Sequence, residues 1–350
     1  MTRIRFSIVS GCLLLLSFSA LAQEKVTDSL AQKILVYQLP NGGWGKQLAD
    51  KKAVNYSLPL TEELLRNIKA TDENYATIDN GATTREINSL VEAYAKTQNP
   101  DYLNAAHRGI AYLLEAQYEN GGFPQYYPNK SLYRAQVTYN DNAMINALTV
   151  LDNLAKGSHG FETLGDEQLK KRATDAVAKG IDCILRTQVI QSDSLTIWAA
   201  QYDEKTLQPE QARNFEPVSL STSESVNVLR FLMKQPVTPA IEKAIESAVR
   251  WLEIHDLEGY RFDKTAHPKT GKTVRDLVPD STSVVWSRFY DIDNSKPLFG
   301  DRDESVTYDF SEISDERKNG YAWFGTWPAK LVEKEYPKWK KNKKSDIEKK

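Results

Sequence analysis

Cysteine is close to absent: Cys12 and Cys183 are the only two in 350 residues. That excludes a disulfide framework, so the chain must bury a core large enough to hold without one. Histidine is scarce as well, with His107, His159, His255 and His267. His107 falls inside a helical pattern, and the others fall near helix ends or in irregular sequence. None has a recognisable partner, which argues against a serine hydrolase and against histidine-based acid–base chemistry. There is no nucleophile elbow, zinc signature, phosphate loop or dinucleotide fingerprint. A formal charge of −2 offers no global basic field for nucleic acid. Beyond residue 22 no apolar run is long enough to span a bilayer.

Residues 1–22 read as a signal peptide. Arg3 and Arg5 form the basic start, Phe6 to Phe18 the apolar stretch, and Ala20-Leu21-Ala22 the small-residue cleavage site. Removing Arg3 and Arg5 takes the net charge from −2 to −4. Val9-Ser10-Gly11-Cys12 has a faint likeness to a lipoprotein cleavage box, but four leucines follow Cys12, on the wrong side of such a cut. Cleavage after Ala22 leaves Cys183 alone in an apolar helical pattern, where a buried, inert thiol is the default. The expected division is a signal peptide over 1–22, one domain over 23–337 and a solvated, lysine-rich tail over 338–350. No oligomer interface is legible, and a monomer is the expectation.

What is present is mostly helical. Apolar residues recur at helical spacing over 28–37, 56–69, 84–97, 102–118, 144–156, 167–188, 223–233 and 239–254. Two of these helices run into the same turn, Asn-Gly-Gly-aromatic, at Asn41 and again at Asn120. A looser version stands at Asn319. Helix, glycine turn and aromatic loop in recurrence suggest stacked helical hairpins, although ordinary helix C-caps would look similar. From Glu258 to Asn319 the helical period fails, and only Val284 to Tyr290 alternates as a short strand would. A long irregular segment inside a compact domain is usually functional or poorly ordered, and the aromatics and arginines here favour function.

The chemistry-bearing stretch is Thr77-Ile78-Asp79-Asn80-Gly81-Ala82-Thr83-Thr84-Arg85-Glu86. Asp-Asn-Gly is turn chemistry, and a helix follows at once. Asp79 therefore sits just before a helix N-terminus, where unpaired N–H groups and a partial positive charge collect. A structural cap is the default reading of such a carboxylate, and a ligand held for chemistry is the other. The pattern recurs at Thr138-Tyr139-Asn140-Asp141-Asn142, again before a buried helix. Two such junctions can bring two carboxylates to one end of a helical assembly, where a hard cation takes oxygen ligands. Arg213, Arg288 and Arg302 also lie in loops, near Trp44, Phe123, Tyr126, Tyr127, Trp286 and Tyr290. Arginine clamps carboxylates, and flat aromatics suit sugar faces, although each of these residues taken alone has a bland surface or core reading.

Several motifs in order resemble polysaccharide lyase family 10, the pectate lyases. They are Asn41–Lys46, Thr77–Glu86, Asn120–Pro128, Thr138–Asn142, Ile197–Asp203 with Ala212-Arg213, and Ser219-Leu220-Ser221 with Glu224. The resemblance runs from about Ala31 to Pro328. It implies an (α/α)3 toroid of helical hairpins with a cleft; with the failing period after Glu258, the expectation is a mainly α fold with a small irregular, short-strand region near the C-terminus. The resemblance implies calcium-dependent endo-cleavage of polygalacturonate, the backbone of pectin, by β-elimination, and the signal peptide adds the expectation of secretion. Carried over by position, Asp79 and Asp141 match the acidic calcium and substrate site, and Arg213 matches the arginine proposed as base. Arg288 and Arg302 match arginines that hold substrate carboxylates, and Asn80 and Asn140 are the neighbours of Asp79 and Asp141 in the same motifs.

Two other functions remain open at this level. A glycoside hydrolase would use Asp79 and Asp141 as acid and base, with Asp203 or Glu224 in reserve. A secreted polysaccharide-binding protein would keep the aromatics and arginines without turnover. Lyase products carry a conjugated double bond and absorb ultraviolet light, which separates the three.

Overall fold

The computed structural model describes residues 26–267 and 271–348, so the expected signal peptide, Cys12 included, lies outside the described residues. Ten α-helices occur among them: α1 (Ser29–Tyr37), α2 (Glu62–Ala70), α3 (Thr84–Thr97), α4 (Pro100–Ala116), α5 (Ala143–Lys156), α6 (Glu167–Thr187), α7 (Thr222–Leu232), α8 (Pro239–Ile254), α9 (Asp315–Gly320) and α10 (Tyr336–Glu348). None is long and apolar enough to cross a membrane. Asp28, Thr61, Asn99, Asp166 and Thr238 cap five of these helices by accepting a first-turn N–H. α2 starts at Glu62 instead of Tyr56, because Pro59 keeps the preceding residue out of helical conformation and Thr61 supplies the cap.

The helices form two layers. α3, α5 and α7 stand side by side, and α4, α6 and α8 each pack behind the partner that adjoins them in sequence. The apolar stripes meet between the layers, with Ile87, Leu90 and Val91 of α3, Leu148 and Leu151 of α5, and Val228 and Leu229 of α7 in one core. Cys183 of α6 is fully buried there, and burial pushes its thiol up to about 12, so the inert reading holds.

A repeated device joins one hairpin to the next. Gln38, after α1, donates from Nε2 to the carbonyls of Gly42 in its own loop and Ala105 in α4, both at 2.9 Å. Gln117, after α4, does the same to Gly121 at 3.0 Å and to Ala176 of α6 at 2.9 Å. Gln188, after α6, binds Thr196 at 2.8 Å and Ala244 of α8 at 2.9 Å. The turns at Asn41 and Asn120 are also alike. In each, the asparagine Oδ1 accepts from the second glycine, and the first glycine has φ 88°. Gly42 lies against the carbonyl of Arg108 and Gly121 against that of Lys179, where a Cβ would collide. Asn319 is not a third copy. It ends α9, and its Oδ1 accepts from Arg275 instead. The third copy is Gln188, with a small β-hairpin in place of the glycines.

The expectation of a mainly α, (α/α)3 toroid with one small short-strand region is corrected here. The described residues hold eleven strands in five sheets. These are β1 (Val137–Thr138), β2 (Ile190–Gln191), β3 (Ser194–Leu195), β4 (Gln201–Tyr202), β5 (Leu220–Ser221), β6 (Leu257–Ala266), β7 (Thr273–Ser287), β8 (Phe289–Tyr290), β9 (Phe299–Gly300), β10 (Val306–Thr307) and β11 (Phe324–Gly325). β6 and β7 are ten and fifteen residues long and pair antiparallel, with β11 on the other edge of β7. This sheet has its own core, where Val285, Phe289, Phe299, Phe310, Trp323 and Phe324 pack together. Its period was hidden because the hairpin is half-exposed and carries Asp and Lys or Arg on both strands. The lysine-rich tail also differs from a free end. It forms α10, whose Tyr336 and Trp339 pack on the helical core and whose Lys343 pairs with Glu242.

If the glutamine clamp joins adjacent hairpins, Gln188→Ala strands two buried carbonyls. Unfolding in urea should show a loss of about 2 kcal/mol.

Candidate active site

The loops before α3, α5 and α7 gather at one end of the helical layers. A series of antiparallel bridges ties them together: Gly45 with Ala76, Thr77 with Tyr126, Pro124 with Val137, Thr138 with Gln201, Ala199 with Leu220, and Ser221 with Phe289. The turns Asp79–Gly81 and Asn140–Asn142 pack against each other on this scaffold. Asn80 at φ 50°, Asp141 at φ 51° and Asn142 at φ 60° hold left-handed backbone, which these side chains tolerate. Thr83 at φ 64° is β-branched and far less suited to it. It is held by its hydroxyl, which accepts from Trp44 N at 2.9 Å and donates to the Thr77 carbonyl at 2.8 Å.

Asp79 is buried and does not cap α3, contrary to the default reading. One oxygen pairs with the ammonium of Lys46, and the other, Oδ1, is buried without a partner among the described residues. Its own N–H donates to Thr77 Oγ1 at 3.0 Å, which fixes the turn. Burial works against the charge on Lys46, but the Asp79 carboxylate outweighs it and holds the ammonium above its ordinary value. Tyr126 lies beside this pair, with Lys46 at 6.0 Å and Arg134 at 4.6 Å from its ring centre.

Asp141 is exposed at the lip of its turn, and the buried Asn140 reaches it with Nδ2 at 3.5 Å. Desolvation raises its carboxyl above the usual range, and the negative charges of Asp79 and Glu224 raise it further, with Arg288 and Arg213 opposing. Residues from the loops before all three front helices thus share one field.

Arg288 is mostly buried and donates from Nη2 to Glu224 Oε1 at 2.5 Å, while Glu224 also accepts from Ser221. Burial disfavours the Arg288 charge, and Glu224 outweighs that to raise its pKa. The Arg288 Nε has no partner among the described residues. Its guanidinium lies 4.9 Å from the ring centre of Tyr321. Arg213 and Arg302 line a second recess of about 620 Å³ with Leu132, Tyr133, Gln136 and Phe215. Arg213 is held by Glu216, and Arg302 is exposed and held by Glu316 at 3.0 Å. Arg302 and Arg317 push the Glu316 carboxyl down to about 2, with Arg317 the larger cause.

The structure therefore brings Asp79, Asp141, Arg213 and Arg288 together, flanked by Asn80 and Asn140, with Arg302 across the Phe215 recess. Asp203 lies apart from this chemistry, since its carboxylate accepts from Lys205 N and Thr206 N in a turn. The sequence reading missed Lys46, Glu216 and Tyr321 as members of the site. Lys46 and Tyr321 stood in quoted aromatic–glycine motifs, which was the available signal. Of the histidines, His255 stacks on Trp251 at 4.1 Å and bonds its carbonyl, a structural role.

Two carboxylates and several arginines beside an open recess suit an anionic substrate. The pectic acid lyase family model matches residues 38–332. The Family 10 polysaccharide lyase from Cellvibrio cellulosa is 38% identical, with a TM-score of 0.78 over 87% of this chain and 90% of that one. An aspartate-to-alanine mutant of that enzyme in complex with trigalacturonic acid is 37% identical, with a TM-score of 0.77 over the same shares. None of the curated proteins compared matches this chain. The chain belongs to the pectic acid lyase family, family 10 of the polysaccharide lyases, and is a pectate lyase.

Glu224→Gln would leave the largely buried Arg288 without its counter-charge. Chemical denaturation near neutral pH should show a loss of about 3 kcal/mol, and an unchanged midpoint would mean that the pair contributes nothing.

Proposed function

We propose that this lyase is an exported enzyme that cleaves polygalacturonate by calcium-assisted β-elimination. The observation that carries this is the contact of the two turns that bear Asp79 and Asp141, with Asp79 Oδ1 buried and without a partner among the described residues. The trigalacturonic acid bound by the Cellvibrio mutant supports the substrate class, and residues 1–22 support export. The glycoside hydrolase and the binding-only protein are disfavoured by the family.

The donor set fits calcium. Asp79 Oδ1 is an unpartnered buried carboxylate oxygen, Asp141 is raised by neighbouring negative charge, and Asn80 and Asn140 flank them with amide oxygens. Among the described residues no group of three His, Cys, Asp or Glu side chains is arranged to hold a metal ion. Asp79 and Asp141 would therefore hold the ion only in part, with water or a uronate completing its shell. When bound, the ion would supply Lewis-acid stabilisation of the negative charge that builds on the uronate carboxylate.

The protein's own steps follow from the chemistry. Arg288 and Arg302 clamp substrate carboxylates and set the register of the chain. The C5 hydrogen is only weakly acidic because the adjacent carboxylate is already negative. Arg213, when neutral, accepts that proton. The C5–H electrons form the C4=C5 double bond, and the C4–O4 bond breaks with its pair on O4, which takes a proton from water. The cost lies in the neutral guanidine: each pH unit below its pKa costs about 1.4 kcal/mol, and the intrinsic value exceeds about 12. The Glu216 carboxylate raises it further, so bound calcium and neighbouring cations would have to offset that, and activity should rise toward alkaline pH.

Polygalacturonate should yield ultraviolet-absorbing products with calcium and none after chelation, and Arg213→Ala should abolish the signal. Near-wild-type turnover by both Arg213→Ala and Arg213→Lys would remove Arg213 from the mechanism.

A further inference from the structure

Arg213 is not a free side chain waiting over a cleft. It closes a reciprocal turn with Glu216. The Glu216 N–H donates to the Arg213 carbonyl at 2.7 Å. In return the Glu216 carboxylate accepts from Arg213 N at 3.3 Å, from Nε at 2.7 Å and from Nη2. Glu216 is buried, so the two residues are not a loose surface pair. The Tyr321 hydroxyl donates to the same carboxylate at 2.8 Å, and the guanidinium groups of Arg213 and Arg288 lie 5.9 and 4.9 Å from the Tyr321 ring centre. The loop is pinned on both sides, by Gln136 Nε2 on the Gln211 carbonyl at 2.8 Å and by Asn214 Nδ2 on the Arg302 carbonyl at 3.2 Å. Nε and Nη2 are thus committed to Glu216, and Nη1 is the one guanidinium nitrogen that no bond to a described residue engages.

We propose that Glu216, braced by Tyr321, is the positioning residue for Arg213: it fixes the guanidinium so that Nη1 alone is presented to substrate. This rests on the reading of Arg213 as proton acceptor. A forked carboxylate on one edge of a planar guanidinium sets both its plane and its rotation, which a single hydrogen bond does not. The same contact opposes the chemistry in one respect. The Glu216 carboxylate favours the charged guanidinium and raises its pKa, chiefly through the side-chain hydrogen bond. Positioning and basicity therefore pull in opposite directions at this residue. The titratable and charged groups that face Arg213 are Glu216, Tyr321, Tyr133, Asp141 and Arg302, and Arg317 shares the Phe215 ring with it.

The test is the pH dependence of kcat on polygalacturonate with calcium for the full chain and for Glu216→Gln, Tyr321→Phe and Arg213→Ala. Loss of the fork should cut kcat by about 10²-fold in Glu216→Gln, with KM little changed. The rising alkaline limb should move to lower pH, because the anion that favours the charged guanidinium is gone. Tyr321→Phe should lose less and leave the limb in place, since the carboxylate remains. A merely structural Glu216 would lower the melting temperature without moving the limb. Wild-type kcat and an unmoved limb in Glu216→Gln, beside an inactive Arg213→Ala, would overturn the positioning role alone. A fully active Arg213→Ala would overturn the proton-acceptor reading and this proposal with it. If Glu216→Gln does not fold, Tyr321→Phe decides: unchanged kcat overturns the proposal, and a partial loss at an unmoved limb supports it.

Discussion

Negative charge held against itself is the constraint around which this molecule is arranged. Asp79 and Asp141 stand on two touching turns, with Glu224 within the same field; desolvation first, and these negative charges second, hold the carboxyl of Asp141 above its usual range. Isolated from water and unpaired, such a cluster would cost several kcal/mol. Lys46, Arg288 and Arg213 offset part of it, each from a different loop. Asp79 Oδ1 has no partner among the described residues, and that is the opening the proposed cation would fill.

Holding that cluster requires rigid loops, and the fold supplies them in two ways. The glutamine clamps at Gln38, Gln117 and Gln188 bind each hairpin to the rear helix of the next, so the front helices keep a fixed spacing. The run of bridges from Gly45 to Phe289 then ties the loops above those helices to one another. The strained backbone at Thr83 is tolerated because its hydroxyl is engaged on both sides. The β6–β7 sheet contributes from another direction. Its neighbours carry Arg288, Arg302 and Tyr321 toward the recess beside Phe215.

Much of this was legible in the chain before any fold was drawn. The starts of α3 and α5 were readable because Asp-Asn or Asn-Asp turn chemistry directly precedes an apolar stripe, and both Asp79 and Asp141 fell out of that pattern. The hairpin turns at Asn41 and Asn120 were readable because the turn needs glycine at φ 88°. The third copy was not, since Gln188 performs the same clamping with a different loop. The β6–β7 hairpin escaped because charged residues on its exposed faces erase the alternation that marks a half-buried strand. The pairing of Asp79 with Lys46 was not legible because the two are remote in sequence. Glu216 was overlooked because an acidic residue three positions after an arginine looks like an ordinary surface pair until burial shows otherwise.

The most direct measurement is thermal melting of the wild type and Asp141→Asn across a calcium titration. The account predicts that the wild type melts higher as calcium is added. Asp141→Asn, relieved of one repelling charge, should melt at or above the wild-type temperature without calcium and should not respond to it. An asparagine variant that melts lower and still gains stability from calcium would contradict the charge balance proposed for this site.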